Sequence, residues 1–342
     1  MKIYSCGTYY HALITAIKIM INGEKADLLL ANDIPGFNVL KERLSQSGLF
    51  RSIFIYDAKA FSESYVFKNV VDHAFNARKI VYEKIPCLVT LSSSQWRDYS
   101  DIYIFNDSTG VAKYLILNGI KYHLIEDALD YFSYFDKYYK IPEGAFSEKG
   151  FIKTLKNAFG IGFNVFGQNE ACIDIEVNSV ENIKIPTNKV FAISRSEMFS
   201  SLSREQRKLI FSIFAKDKTF KGKNNDKSMI LLTQPLFKDA FVKSMEEQYV
   251  IFETVIIDYS KKGYSISIKP HPRDEMDYFP LINKYGCTYI DKNLPSEILN
   301  FDEDAYFDVA VSITSTAINA LNNAREKRFM GREFIKNCLN EE

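Results

Sequence analysis

The sequence predicts an α/β protein built from two Rossmann-like domains that face each other across a cleft. Three observations support this prediction. Strand patterns alternate with helix patterns in both halves of the chain, polar clusters follow the predicted strands, and 342 residues with 46% hydrophobic content are enough for two domains with a large core. Strands that alternate with helices form mainly parallel sheets covered on both faces. Ligands of such sheets bind beyond the carboxyl ends of the strands, so the polar clusters mark the expected site.

The N-terminal half contains a regular series of strands and helices. A strand at 2–6 precedes a helix in which apolar residues recur at helical spacing. Further strands are predicted at 27–31, 52–56, 100–105 and 121–125. The strand at 121–125 ends directly at Glu126 and Asp127. This part of the chain therefore predicts one parallel sheet with a pair of carboxylates at its edge.

The C-terminal half repeats the pattern after a change of rhythm. Between 156 and 195, short apolar stretches are separated by Asn, Pro and Thr residues, which predicts a connection between domains. Strands are then predicted at 228–232, 264–269, 288–290 and 306–311. The predicted organisation is an N-terminal domain at 1–155, a connecting segment at 156–195, a C-terminal domain at 196–321 and a basic helix at 322–342.

Composition excludes several classes of protein. The 43 basic and 43 acidic residues balance, so no overall field attracts nucleic acid, and we predict no nucleic-acid partner. Five widely spaced cysteines without a C-x-x-C pair argue against a disulfide framework. The sequence has neither a secretory signal pattern nor a membrane span, so we expect a cytoplasmic protein. The basic tail leaves two interpretations open: a solvated helix, which such patterns favour, and a peripheral contact with the inner face of the membrane.

The segment from Tyr264 to Asp274 carries the strongest local signal. Apolar and polar residues alternate over 264–269, which predicts a strand, and Pro270 and Pro272 then stop the sheet ladder. A proline on each side holds His271 at the strand exit, an arrangement that orders an imidazole before its ligand arrives. The alternative is a turn histidine exposed to water, which the tripeptide alone favours.

Two other polar groups follow predicted strands. The Ser/Thr cluster at 312–316 precedes a helix-like run, where hydroxyls and free N–H groups bind phosphate readily; an ordinary helix cap is the alternative. Glu126 and Asp127 include a candidate general base, because a like charge and partial burial raise a carboxyl pKa. The alternative is that the two acidic residues lie in the first turn of a helix, where the helix dipole favours negative charge. Together, these groups suit the transfer of a group from a phosphate-linked donor to a hydroxyl.

Sequence patterns for other chemistries are missing. There is no P-loop and no H-E-x-x-H, and Val165 replaces the third glycine of the dinucleotide pattern that begins at Gly160. The four histidines and five cysteines lack metal-ligand spacing, so we predict no metal and no cofactor. His11, beside Tyr9 and Tyr10, is a lesser candidate for a residue that lines the cleft.

The order of these segments resembles the bacterial sialyltransferases of glycosyltransferase family 52, which include lipooligosaccharide and streptococcal capsule enzymes. Glu126-Asp127 is similar to their acidic D/E-D/E-G motif, 269–274 to their HP motif, and Ser315-Thr316 to their S-S/T motif. The segment 230–236 also looks like this family. The likeness extends over most of the chain.

This resemblance implies a GT-B fold and an inverting, metal-independent transfer of N-acetylneuraminic acid from CMP-N-acetylneuraminic acid to a galactose-terminated glycan. It implies that the domain at 1–155 holds the acceptor and that the domain at 196–321 binds the CMP donor. His271 is expected to contact the CMP phosphate and assist its departure. The other donor-binding residues that it implies are Lys269, Pro272, Arg273, Thr314, Ser315 and Thr316. Glu126 or Asp127 is expected to deprotonate the acceptor, with Asp239 and Asp258 in reserve, and a homodimer is implied.

Ala128 stands where the family motif has glycine. If that glycine has a positive φ, an alanine costs about 1 kcal/mol or reshapes the loop. Two alternative functions stay open: a hexosyltransferase that uses a nucleotide-sugar in surface polysaccharide synthesis, and a catalytically silent protein that binds a nucleotide or a glycan.

Overall fold

The computed structural model describes residues 1–128, 132, 165–181, 183, 185, 188–215, 227–302 and 305–339. The chain divides into two compact units, Met1–Leu202 and Ser203–Glu342. Each unit is built on a parallel sheet, which confirms the predicted α/β class with two parallel-sheet domains.

The described strands of the first unit form a seven-stranded parallel sheet. In chain order they are β1 (Lys2–Cys6), β2 (Ala26–Ala31), β3 (Phe50–Tyr56), β4 (Asp101–Ile104), β5 (Tyr122–Ile125), β6 (Cys172–Val177) and β7 (Val190–Ala192). Their spatial order is β3-β2-β1-β4-β5-β6-β7. Because β1, β4 and β5 are neighbours, the residues that follow these three strands emerge side by side.

The described helices of the first unit pack on this sheet. They are α1 (Tyr9–Asn22), α2 (Phe37–Gln46), α3 (Ala58–Ser64), α4 (Val70–Leu88), α5 (Gly110–Leu117) and α6 (Arg195–Ser200). Every residue of β2 is buried, as expected for an inner strand covered on both faces. Helix α1 begins after Thr8, whose hydroxyl accepts a hydrogen bond from the His11 N–H, and ends at Gly23 with a φ of 64°. This cap fixes His11 in the first turn of α1.

The described strands of the second unit form a five-stranded parallel sheet. They are β8 (Lys227–Leu232), β9 (Tyr264–Lys269), β10 (Thr288–Tyr289), β11 (Phe307–Ser312) and β12 (Ala324–Phe329), in the spatial order β10-β9-β8-β11-β12. The described helices are α7 (Arg204–Ala215), α8 (Met245–Lys261), α9 (Phe279–Tyr285) and α10 (Gly331–Leu339). Strand β8 lies between β9 and β11, so its exit is flanked by theirs.

The structure changes the predicted connecting segment at 156–195. Strands β6 and β7 lie within that range and pair in parallel as the last two strands of the first sheet. The first unit continues to Leu202, so the second unit begins at Ser203 and not at 196. The two strands are short and flanked by turn-forming residues, and this composition is also typical of a linker.

The predicted basic helix at 322–342 is wrong for residues 324–329, which form β12. This strand pairs with β11 through its backbone, and most of its side chains are exposed. Charged residues are common on edge strands because they discourage further pairing. A helix follows only at α10, where Phe334, Ile335 and Leu339 belong to or pack against the core of the second unit. None of the helices in the described part of the chain is long and apolar enough to cross a membrane.

Candidate active site

Three neighbouring strands of the first unit end in one polar cluster. His11 follows β1 in the first turn of α1, Asn106 follows β4, and Asp127 follows β5. The Asp127 carboxylate lies 2.7 Å from His11 Nε2 through Oδ1, and 3.5 Å from Asn106 Nδ2 through Oδ2. The Asp127 side chain is 24% exposed, so it is anchored yet open to solvent. This geometry holds a carboxylate in one orientation at the edge of the sheet.

The hydrogen bonds of His11 define its neutral tautomer. The Gly7 N–H donates to His11 Nδ1 at 3.1 Å, so Nδ1 carries no hydrogen and Nε2 is the donor. Nε2 reaches both the carboxylate and the backbone oxygen of Asp127, the latter at 3.2 Å. The ring of His11 also stacks on Phe105 at 4.3 Å. The His11 ring is thus held by the Gly7 N–H, by Phe105 and by Asp127. Its Nε2–H donates to Asp127 and fixes the orientation of that carboxylate.

Glu126 and Asp127, adjacent in sequence, have different environments. Glu126 is 1% exposed, and its carboxylate accepts a hydrogen bond from the Asn178 N–H at 2.8 Å. Its own N–H donates to the Glu176 backbone oxygen, continuing the sheet ladder. Through its hydrogen bond with the backbone of Asn178, the buried Glu126 carboxylate connects β5 to the segment after β6. Asp127 is thus the better candidate for a base that must meet a substrate.

Ala128, the departure from the family motif, is accommodated without left-handed backbone. Among the described residues, the non-glycine residues with positive φ are Phe166 and Ala240. Ala128 therefore incurs no strain of the kind that a required glycine would avoid.

In the second unit, His271 lies at the exit of β9 as predicted. The Arg273 N–H donates to His271 Nδ1 at 3.0 Å, so the neutral ring carries its hydrogen on Nε2. Burial, reinforced by the positive charges of Arg273 and Lys269, lowers the pKa of His271 to about 4. No described residue accepts a hydrogen bond from its Nε2. His271 is thus a neutral donor near pH 7, with one N–H available to a ligand.

Asp274 anchors the loop that carries His271. It is 2% exposed, and its carboxylate accepts hydrogen bonds from Gln248 Nε2 at 2.9 Å and the Tyr278 hydroxyl at 2.6 Å. The Thr233 hydroxyl at the exit of β8 also donates to it, at 3.3 Å. The Asp274 N–H closes the turn onto the His271 backbone oxygen at 2.9 Å. The loop is therefore fixed to β8 and α8 through one buried carboxylate.

The other residues predicted around His271 have varied surroundings. Lys269 is buried, and its ammonium group donates hydrogen bonds to two backbone carbonyl oxygens. These belong to Pro270 and Lys292, at 2.9 and 3.1 Å. Arg273 forms a two-pronged ion pair with Asp239, at 3.0 and 3.1 Å. Pro272 is exposed. These contacts favour a structural role for Lys269 and place Arg273 at the surface.

Neither reserve carboxylate has the surroundings of a base. Asp239 already forms an ion pair with Arg273, at 3.0 Å. Asp258 lies on the surface of α8, where it pairs with Lys262 one turn away.

The Ser/Thr cluster follows β11. The Ser312 hydroxyl accepts from the Ser315 N–H at 3.0 Å, and the Ser315 hydroxyl accepts from the Ala317 N–H at 3.3 Å. Thr314 Oγ1 accepts from Gln234 Nε2 at 2.8 Å. The following helix is a short 3₁₀ helix, Thr316–Ala320, rather than an α-helix, so a phosphate bound here would depend on hydroxyls more than on a helix dipole. For Thr316 only the backbone is described.

Two residues of these clusters, Gln234 and Asp274, were given no role from the sequence, and His11 was only a lesser candidate for lining the cleft. His11 had the weakest signal, since nothing local shows that its ring reaches a residue 116 positions away. Gln234 and Asp274 lie within the segments that resemble the family, yet a buried glutamine and a buried aspartate carry no spacing pattern. Their signal was position: each follows a predicted parallel strand, as His271 does.

The model of glycosyltransferase family 52 matches residues 50–329 of the chain. An uncharacterized protein of Haemophilus influenzae is 26% identical over 217 residues, covering 62% of this chain and 62% of that protein. The chain thus matches less than two thirds of this relative's length.

Two solved structures are similar over nearly the whole chain. An α/β-galactoside α-2,3-sialyltransferase from the luminous marine bacterium Photobacterium phosphoreum has a TM-score of 0.51 and 12% identity, covering 100% of this chain and 95% of that one. The GT-B domain of a sialyltransferase from Photobacterium damselae has a TM-score of 0.51 and 11% identity, covering 99% and 97%. At these identities the likeness shows the fold, which is GT-B.

Proposed function

The chain belongs to glycosyltransferase family 52, and from that premise we propose that it is an inverting sialyltransferase. In this proposal it moves N-acetylneuraminic acid from CMP-N-acetylneuraminic acid to a terminal galactoside of a bacterial surface glycan, in capsule or lipooligosaccharide. The two similar solved structures are also named sialyltransferases, and the name of one of them specifies α/β-galactosides. The proposal needs no metal or cofactor and places the reaction in the cytoplasm.

The observation that carries the proposal is His271. Its fixed tautomer gives an N–H donor at the exit of β9, and the hydroxyls of Thr314 and Ser315 follow β11 in the same sheet. Each hydroxyl accepts a hydrogen bond within the protein and keeps its own hydrogen to donate. Donors of this kind suit a phosphate that gains charge as a glycosidic bond breaks.

In the proposed reaction, the bond between the anomeric carbon and the CMP phosphate oxygen breaks, and its electron pair leaves with CMP. The acceptor hydroxyl oxygen bonds to the opposite face of the anomeric carbon, and its proton passes to Asp127. His271 is neutral near pH 7, so it stabilises the departing phosphate as a hydrogen-bond donor and not as an imidazolium. Donors that bind the charge more strongly in the transition state than in the ground state accelerate the step.

The test is a donor panel with purified protein in EDTA. CMP-sialic acid, UDP-hexoses and GDP-sugars are each supplied with and without lactose, and the released nucleotide is measured. We expect CMP release from CMP-sialic acid that lactose stimulates. Release of UDP would replace the proposal with a hexosyltransferase, and no turnover of any donor by folded protein would make it a binding protein.

A further inference from the structure

The side chain of Gln234 has a buried polar atom to which no described residue donates a hydrogen bond. Gln234 is 4% exposed, and its Nε2 donates to Thr314 Oγ1 at 2.8 Å. Its Oε1 is buried and has no hydrogen-bond partner among the described residues. A buried carbonyl oxygen without a donor is costly, and such atoms in folded proteins are uncommon. Its retention therefore needs a reason outside the described hydrogen bonds.

The position of Gln234 in the sheet indicates what that reason is. It follows β8, which lies between β9 and β11, so the chain passes through Gln234 between the exits that carry His271 and Ser315. The preceding residue, Thr233, binds Asp274 on the β9 side, while Gln234 binds Thr314 on the β11 side. Two consecutive residues thus tie the three strand exits together. The unused carbonyl oxygen belongs to the residue at the middle of this site.

A second buried glutamine in the same unit shows the difference from a structural role. Gln248 is 0% exposed, and both ends of its amide are satisfied by protein. Its Oε1 accepts from the Phe237 N–H at 2.8 Å, and its Nε2 donates to Asp274 at 2.9 Å. A glutamine that serves packing alone is expected to resemble Gln248.

We propose that Gln234 recognises the nucleotide of the donor. Its side-chain NH₂ holds Thr314, and its carbonyl oxygen accepts a hydrogen bond from a ribose hydroxyl or a base amine of the nucleotide. The ligand group is an O–H or N–H, because an ionised phosphate offers acceptors alone. This inference rests on the proposed function, since it assigns a partner in the same donor site.

The proposal has a consequence for stability that a structural role does not. Replacing Gln234 by methionine removes the unpaired buried oxygen together with the bond to Thr314, so the free protein loses little or gains stability. Replacing Gln248 by methionine removes the described side-chain acceptor of the Phe237 N–H and one of the two hydrogen bonds to Asp274 Oδ1, the other being that from the Met276 N–H. Binding and stability are therefore expected to change independently in Gln234→Met.

The experiment measures thermal unfolding and nucleotide affinity for wild type, Gln234→Met and Gln248→Met. We expect Gln234→Met to unfold at or above the wild-type temperature and to bind CMP about tenfold more weakly, as the loss of one hydrogen bond predicts. Gln248→Met, the matched control, is expected to unfold at a lower temperature. Titrations with 2′-deoxy-CMP, 3′-deoxy-CMP and UMP then identify the partner group. The analogue that lacks it binds wild type about tenfold more weakly than CMP does, but binds Gln234→Met as CMP does.

Unchanged CMP affinity in Gln234→Met would overturn the inference. So would a loss of affinity that is equal for CMP and all three analogues, which would assign Gln234 to the phosphate. If wild type binds UDP or GDP in place of CMP, the proposed donor fails, and the same comparison with that nucleotide decides the role of Gln234. If folded wild type binds none of these nucleotides, both proposals fall.

Discussion

The polar clusters of the two units are built alike but satisfied differently. Each has a histidine whose Nδ1 accepts a backbone N–H, from Gly7 to His11 and from Arg273 to His271. In the first unit the remaining Nε2–H goes to Asp127, so the protein supplies its own partner. In the second unit no described residue accepts the Nε2–H of His271. The difference teaches that the first cluster fixes a carboxylate, whereas the second leaves a histidine N–H without an acceptor among the described residues.

The largest expected effect comes from removing the carboxylate of the first cluster. Asp127→Asn keeps the size of the side chain but cannot accept the acceptor's proton, so we expect kcat to fall by about a thousandfold. The fall in kcat is measured as the rate of CMP release during transfer to lactose at a saturating concentration of CMP-sialic acid.

The adjacent carboxylate is the matched control for this variant. Glu126→Gln weakens the acceptor for the Asn178 N–H, so we expect about 1 kcal/mol less stability and a kcat within about threefold of wild type. A collapse of kcat in Glu126→Gln with Asp127→Asn still active would reverse the assignment of the base.

Removing the donor of the second cluster is expected to have the next largest effect. His271→Ala should lower kcat by about a hundredfold with a smaller change in CMP affinity, because the hydrogen bond matters most when the phosphate gains charge. His271→Gln restores an N–H donor and is expected to recover part of the loss. Equal activity of His271→Ala and wild type would remove His271 from catalysis.

Loosening the loop that carries His271 should cost less. Asp274→Asn replaces an acceptor of three side-chain hydrogen bonds by an amide whose NH₂ meets other donors, so about 1–3 kcal/mol of stability is expected to be lost. We expect kcat to fall by about tenfold with KM for the donor nearly unchanged, because the histidine is displaced while the hydroxyls stay in place. Urea unfolding and steady-state kinetics measure the two effects. A fall in stability with unchanged kcat would limit Asp274 to folding.

The last expected effect is on the stability of the protein in acid and not on its activity. The pKa of His271 is lowered to about 4 in the folded protein, below the ordinary value of 6.5. Between these pH values the unfolded chain binds the proton and the folded protein does not, so stability is lost as the pH falls from about 6.5 to 4. His271→Gln lacks this loss, and its unfolding free energy should therefore fall less over that window than that of wild type. Parallel curves would show that the histidine titrates normally.

The sequence predicted the fold and the position of His271 at a strand exit because both depend on local patterns. The strand before His271 and its flanking prolines are visible as alternation and chain breaks. The contact between His11 and Asp127 is invisible, since it depends on which strands are neighbours. Strand β12 was missed because its side chains are mostly charged and show no apolar pattern. Its backbone pairing with β11 holds it in the sheet. The unused oxygen of Gln234 likewise follows from burial and not from residue type.

The central claim is that the first cluster supplies the base and the second binds the donor. CMP titration of wild type, Asp127→Asn and Thr314→Val by calorimetry tests it most directly. We expect Asp127→Asn to bind CMP with a Kd within about twofold of wild type, and Thr314→Val, which lacks one hydroxyl of the donor site, to bind about tenfold more weakly. Weaker CMP binding in Asp127→Asn with unchanged binding in Thr314→Val would contradict the account.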